Sequence, residues 1–243
     1  MSRPCSAGAR RPLSTALPAA LLVLGAIVLT GCSKSSNPSA GSSGASGAGT
    51  AAADAVSAAH YVLDPPPSIG GWTRVASPDS QAEQEMQQGL SQAEQTVGGI
   101  SGTPVYALYN DPQDQAWIAF VGVNGSGLDP QRLARAAAVA PVATTDGVGD
   151  RVTTSWVPDV AGGPHGGQTQ CQQTLMQQAG LSTFAAGGLA ATGSACFWMT
   201  ATTFGVVTLL PQPNRSAWDF GWNGEQVDGY MLKVRAAVEQ LRQ

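Results

Sequence analysis

The strongest constraint on this chain is that its first 59 residues offer nothing from which a core can be built. Arg3, Arg10 and Arg11 precede an apolar stretch, residues 17–29, interrupted only by Pro18, Gly25 and small alanines. Thirteen residues of helix reach about 20 Å, short of the roughly 30 Å hydrocarbon core of a bilayer. Residues 1–31 therefore read as the basic and apolar regions of a signal peptide rather than as a spanning helix. Residues 32–59 follow as a Gly/Ala/Ser-rich linker, a flexible spacer with a root-mean-square reach of roughly 28 Å. Folding falls to residues 60–243, enough for one globular domain or two intimately packed halves, 60–140 and 141–243.

The tetrad Leu29-Thr30-Gly31-Cys32 resembles the bacterial lipobox. The resemblance implies cleavage before Cys32, diacylglycerol on its thiol, and a palmitate-bearing lipoprotein on the extracytoplasmic face of the cell membrane. Each buried methylene contributes about 0.8 kcal/mol, so two or three acyl chains anchor firmly without a spanning helix. Cleavage removes three of the twelve Lys+Arg and no acid, leaving nine against sixteen Asp+Glu, a charge of -7 in place of -4. Such a domain lacks the basic face that neutralises phosphates, which argues against nucleic acid as a partner. Repulsion from anionic headgroups also favours a domain held off the bilayer by its linker.

With Cys5 lost and Cys32 acylated, Cys171 and Cys196 remain. In an exported domain that pair reads as a disulfide. Closing a loop of about 25 residues stabilises the fold by roughly 3–4 kcal/mol in the chain-entropy description. There is no Cys-x-x-Cys and no neighbouring His, so neither redox chemistry nor a zinc set is expected.

Along the globular part, Asp64-Pro65-Pro66-Pro67 must be extended, and Gly70-Gly71-Trp72 opens a short strand to Val75. Ser80 and Glu83 have capping-box spacing, and Met86, Leu90, Ala93 and Val97 recur at helical intervals, predicting an amphipathic helix over 80–97. Residues 104–109 and 116–123 flank a turn and predict a hairpin. In its second strand Trp117, Ala119, Val121 and Val123 share one face and Ile118 and Phe120 the other, implying burial on both sides. Asp129-Pro130 opens a helix to about Val139. Residues 168–174 predict a strand holding Cys171, residues 175–189 are ambiguous, and 195–200 with 204–210 predict a second hairpin. Val227, Met231, Val234, Val238 and Leu241 form a helical stripe that docks the C-terminus. The expected class is α+β, an antiparallel sheet with helices on one face, with two ferredoxin-like halves as the finer arrangement.

The segment Cys196-Phe197-Trp198-Met199-Thr200-Ala201-Thr202-Thr203-Phe204-Gly205-Val206, with Cys171 upstream and the terminal helix, resembles a pattern in uncharacterised secreted and membrane-anchored proteins of Streptomyces-type actinobacteria. Their strand reads Cys-x-Trp-x-Asp-x-x-Thr-x-Gly-Val. Cys196, Trp198, Thr203 and Gly205 match, and Thr200 stands where that family has Asp. The resemblance covers roughly residues 165–241 and implies an envelope location without a particular activity.

Catalytic patterns are scarce. The chain has no Gly-x-Ser-x-Gly, no phosphate loop and no complete Gly-x-Gly-x-x-Gly. Of its two histidines, His60 ends the linker and His165 sits in a Gly-rich loop that reads as solvent-exposed. A hydrolase would have to combine His165 with Asp159 and Ser155. Asp146, Asp150 and Asp159 read more simply as turn-formers. A binding or interaction domain would use aromatic contacts, for which Trp156, Trp218, Phe220 and Trp222 are the candidates. A carrier would line a cavity with sheet and helix, with residues 181–191 as a pliable mouth. The expectation is a lipid-anchored, non-catalytic binding domain at the cell envelope, without cofactor or metal. Its partners would be the membrane, through Cys32, and an envelope protein or apolar ligand. A carrier of lipid or another apolar ligand is the alternative, and a hydrolase the third reading.

Overall fold

Burial on both faces of the central strands sets the architecture. The computed structural model describes residues 60–145, 149–157, 162–177, 190–212 and 221–242. Nine strands form one sheet in the order β2 (Ser68–Ile69), β3 (Trp72–Arg74), β4 (Thr103–Asp111), β5 (Ala116–Asn124), β10 (Thr203–Pro211), β9 (Ala190–Met199), β8 (Gln168–Gln177), β7 (Arg151–Val157) and β6 (Val142–Thr145). Every pairing is antiparallel, and β5 meets β10 in full register from Thr203 opposite Asn124 to Pro211 opposite Ala116. A separate two-stranded clip pairs β1 (Tyr61–Leu63) with β11 (Glu239–Leu241). Among the described residues the helices are α1 (Ser80–Val97), α2 (Gln131–Ala137) and α3 (Gly224–Val238). None of them is long and apolar enough to cross a membrane.

The α+β class and the antiparallel sheet are as expected, but the helices cover both faces and not one. Ile118 and Phe120 join Trp198 and Val207 beneath Val227, Met231, Val234 and Val238 of α3. On the opposite face Ala119, Val121 and Val123 join Phe197 and Val206 beneath Ala82, Met86, Ala93 and Val97 of α1 and Leu133 of α2. The cause is the two-sided apolar pattern of β5, since a single helical layer would leave one of these faces in water. The finer arrangement also differs: β6 to β10 are neighbours in chain order, a meander where a ferredoxin-like half would cross over.

Local chemistry accounts for the boundaries. α1 begins where the sequence predicts, but its cap is Asp79, whose Oδ1 accepts from the Ala82 N–H at 2.8 Å. α1 ends at Gly98, whose φ of 75° a residue with a Cβ adopts only with strain. Asp111 Oδ1 accepts from the backbone of Gln113 and Asp114, folding the β4–β5 turn. α3 opens on a reciprocal capping box between Asn223 and Gln226. Its stripe Val227, Met231, Val234 and Val238 is fully buried, whereas Leu241 lies past the helix in β11 and is 59% exposed. The α3 stripe therefore ends one residue set earlier than the sequence suggests, because the chain turns out to pair with β1.

Cys171 and Cys196 are joined as a disulfide between directly opposed residues of β8 and β9. Two residues on, Trp198 stands opposite Gly205 of β10 and stacks on Phe120 with ring centroids 5.6 Å apart. A Cβ at Gly205 would collide with the Trp198 ring. In the turn between the strands, Thr200 Oγ1 accepts from the Thr202 and Thr203 N–H groups, the role that an Asp at this position would fill.

Candidate functional site

The residues singled out from the sequence scatter. Cys32, Asp146, Asp159, Trp218, Phe220 and most of the 181–191 segment lie outside the described residues. Trp222 is 7% exposed, inside the core under α3, so its ring is a packing element and not a surface contact. Trp156 is half-buried on the other face, tilted against Phe197 with centroids 5.6 Å apart. Trp222 is held inward because α3 covers that face, whereas Trp156 keeps part of its surface exposed. His165 is also half-buried, its ring 4.5 Å from that of Tyr61, where full exposure was expected. Ser155 faces Gln173 across β7 and β8, and no hydrogen bond among the described residues joins it to His165. The Asp228 carboxylate lies within 4.8 Å of both disulfide sulfurs, but sulfurs bonded to each other provide no thiolate for a metal.

One end of the sheet holds a buried ionic network. The Arg235 and Glu239 side chains are fully buried and paired, Nε to Oε2, at 2.8 Å. Arg235 also donates to Gly166 O at 2.6 Å and Thr169 Oγ1 at 3.4 Å, and Thr203 Oγ1 donates to the other Glu239 oxygen. Thr202 exchanges hydrogen bonds with the Tyr61 backbone, and Asn124 with that of Leu63. These contacts fasten the β1–β11 clip and the Gly-rich loop to the sheet. The arrangement is satisfied internally, which marks it as structural.

A recess of about 300 Å³ with a different character opens between α1 and the β3–β4 edge. It is built from the proline run upward. Residues without N–H groups leave their carbonyls for others, and three of these carbonyls are used at once. Pro65 O accepts from Arg74 Nη1 at 2.9 Å, Pro66 O from the Tyr109 hydroxyl at 3.0 Å, and Pro67 O from the Arg74 backbone at 2.9 Å. Arg74 Nη2 reaches Tyr106 O at 3.4 Å. Burial pushes the Tyr109 phenol up to about 12, with Arg74 pulling the other way and Asp64 adding to the rise, so it stays a neutral donor. The guanidinium is thus exposed and held by backbone carbonyls, without an ion-pair partner among the described residues.

The floor of the recess is Met86, Leu108 and the half-buried Tyr106. Glu83 and Gln87, one turn apart on α1, also line it and are exposed, whereas Arg74, opposite Tyr109 in the register, leaves the sheet on the α3 face. Arg74 and Glu83 do not pair with each other, and neither has an ion-pair partner among the described residues, in contrast to Arg135–Asp129 and Arg235–Glu239. Sequence patterns did not point to this site. The available signal is that Arg74 is the only cation between Lys34 and Arg132, placed directly after the proline run.

Comparison with protein-family models gave no match, and neither curated proteins nor solved structures gave one.

Proposed function

We propose that the chain is a lipid-anchored, extracytoplasmic binding domain that acts without catalysis. The observation that carries this reading is where the linker joins the fold. His60 O accepts from the Arg242 N–H at 2.7 Å, so the chain enters and returns side by side at the β1–β11 clip. Asn124 and Thr203, to which the clip is fastened, share one end of the sheet. Nine-residue strands extend about 30 Å from that end to the β4–β5 turn, and the recess beside α1 lies against the middle of β4, at Tyr106 to Leu108. A tether at one end of strands about 30 Å long suits a domain that presents its far end, at the β4–β5 turn, away from the membrane.

The interaction reading is favoured over the carrier of an apolar ligand because the recess beside α1 has Arg74, Glu83 and Gln87 in its lining. The Cys196 to Val206 pattern supports kinship with the actinobacterial envelope proteins, because Cys196, Trp198, Thr203 and Gly205 each serve the same hairpin. Membrane partition of the full chain tests the proposal. In a lipidating bacterial host, wild type is expected in the membrane pellet with incorporated palmitate, and Cys32→Ser in the soluble fraction without it. A Cys32→Ser chain that remains membrane-bound contradicts the anchor.

A further inference from the structure

The joint between linker and domain carries an inference about covalent modification that does not depend on the lipid anchor. The chain holds two Asn-Gly pairs, Asn124-Gly125 and Asn223-Gly224. In such a pair the glycine nitrogen, unshielded by a Cβ, comes within reach of the asparagine Cγ and displaces its amide when the backbone is free to turn. Both reactants of the first pair are held where β1 is fastened. Leu63 N–H donates to Asn124 Oδ1 at 2.6 Å, and Asn124 Nδ2 donates to Leu63 O at 3.1 Å. Gly125 N–H donates to Thr202 O at 2.9 Å, and the Thr202 hydroxyl holds the Tyr61 backbone on both sides. Leu63 is buried against Gly122, where a Cβ would collide with it. Yet β1 is three residues long and pairs with β11 outside the nine-stranded sheet, the kind of peripheral element that opens locally before a domain unfolds.

We propose that Asn124 is a deamidation site gated by the clip, closed while β1 is seated and reactive when it lifts. In the open form the Gly125 nitrogen attacks Asn124 Cγ and gives up its proton, the Cγ–Nδ2 bond breaks, and Nδ2 leaves as ammonia. Water then opens the cyclic imide at either carbonyl, giving aspartate or isoaspartate, with nothing oxidised or reduced. The product does not refasten the strand as before. A carboxylate has no N–H for Leu63 O and sets a negative charge beside that carbonyl. Isoaspartate also adds a backbone carbon where β5 pairs with Thr103 and Thr203. The second pair is held differently: Asn223 caps α3, and Gly224 N–H donates to Gln173 Oε1 of β8 at 3.2 Å. It therefore serves as an internal measure of global unfolding.

The test incubates the full chain in detergent micelles at neutral pH, folded or in denaturing guanidinium, and follows conversion of each asparagine by peptide mass spectrometry. In denaturant the two sites are expected to convert at similar rates. In the folded chain Asn124 is expected to convert at least about tenfold more slowly than in denaturant, because only opened molecules react. Leu63→Ala, which empties the niche at Gly122, and Thr202→Val, which removes only the link to Tyr61, are each expected to speed Asn124 at least about threefold and to leave Asn223 unchanged. Thr202→Val keeps the test sound if Leu63→Ala fails to fold. Amide hydrogen exchange at residues 61–63 is expected to be faster in the converted protein than in fresh protein. Equal Asn124 rates in folded and denatured wild type, no acceleration in Thr202→Val, or equal acceleration of both asparagines overturns the gate. Unchanged exchange at residues 61–63 after conversion overturns the loss of fastening.

Discussion

Glu239→Ala is expected to lower the unfolding free energy by about 3–5 kcal/mol, the usual cost of removing one partner from a buried ion pair. The carboxylate accepts from both Arg235 and Thr203, and all of it is hidden from solvent. Its removal strands the Arg235 guanidinium, which lies 5.9 Å from the Trp198 ring centre and is fully buried. The loss should appear as a lower urea midpoint with an unchanged slope. Replacing both charges, Arg235→Met with Glu239→Leu, is expected to be less damaging than Glu239→Ala alone, because no uncompensated charge stays buried. The recovery should be partial, since Gly166 O loses its donor and the Thr203 hydroxyl keeps only Thr200 Oγ1 as a partner. A double variant worse than the single one would show that the network's value lies in its hydrogen bonds and not in charge neutralisation.

The second large effect belongs to the disulfide. Replacing Cys171 and Cys196 together by Ala is expected to cost about 3–4 kcal/mol for a closed loop of 25 residues. Both sulfurs are fully buried between β8 and α3, so a dithiol reductant should leave the folded protein oxidised and act only as unfolding exposes the bond. Urea unfolding with and without reductant reads both quantities. Rapid reduction of the native protein under mild conditions would contradict the burial.

How much of this was readable beforehand depends on the length of the pattern. The 80–97 helix, both hairpins and the cysteine pair carry their signal over many residues or through a rule of compartment, and the structure bears out each of them. β5 declared that both its faces are buried, but periodicity says only that a face is covered and not by which element, so α1 and α2 opposite α3 could not be assigned. Strands of three residues such as β1 and β11 have no measurable period. Arg235 and Glu239 at i, i+4 resemble an ordinary solvated helix pair, and only the fold shows them fully buried. Trp222 looked like a contact because aromatic side chains are favoured at surfaces as well as in cores. The Arg74 recess depends on a proline run, a strand end and a helix rim separated along the chain, which no local spacing brings together.

The central claim is a domain held at the envelope by its first mature residue. Intact-mass and N-terminal peptide mass spectrometry of the chain extracted from membranes tests it most directly. The account predicts an N-terminus at Cys32 carrying a diacylglycerol thioether, with residues 1–31 absent. An N-terminus upstream of Cys32, or an unmodified Cys32 thiol, would contradict it.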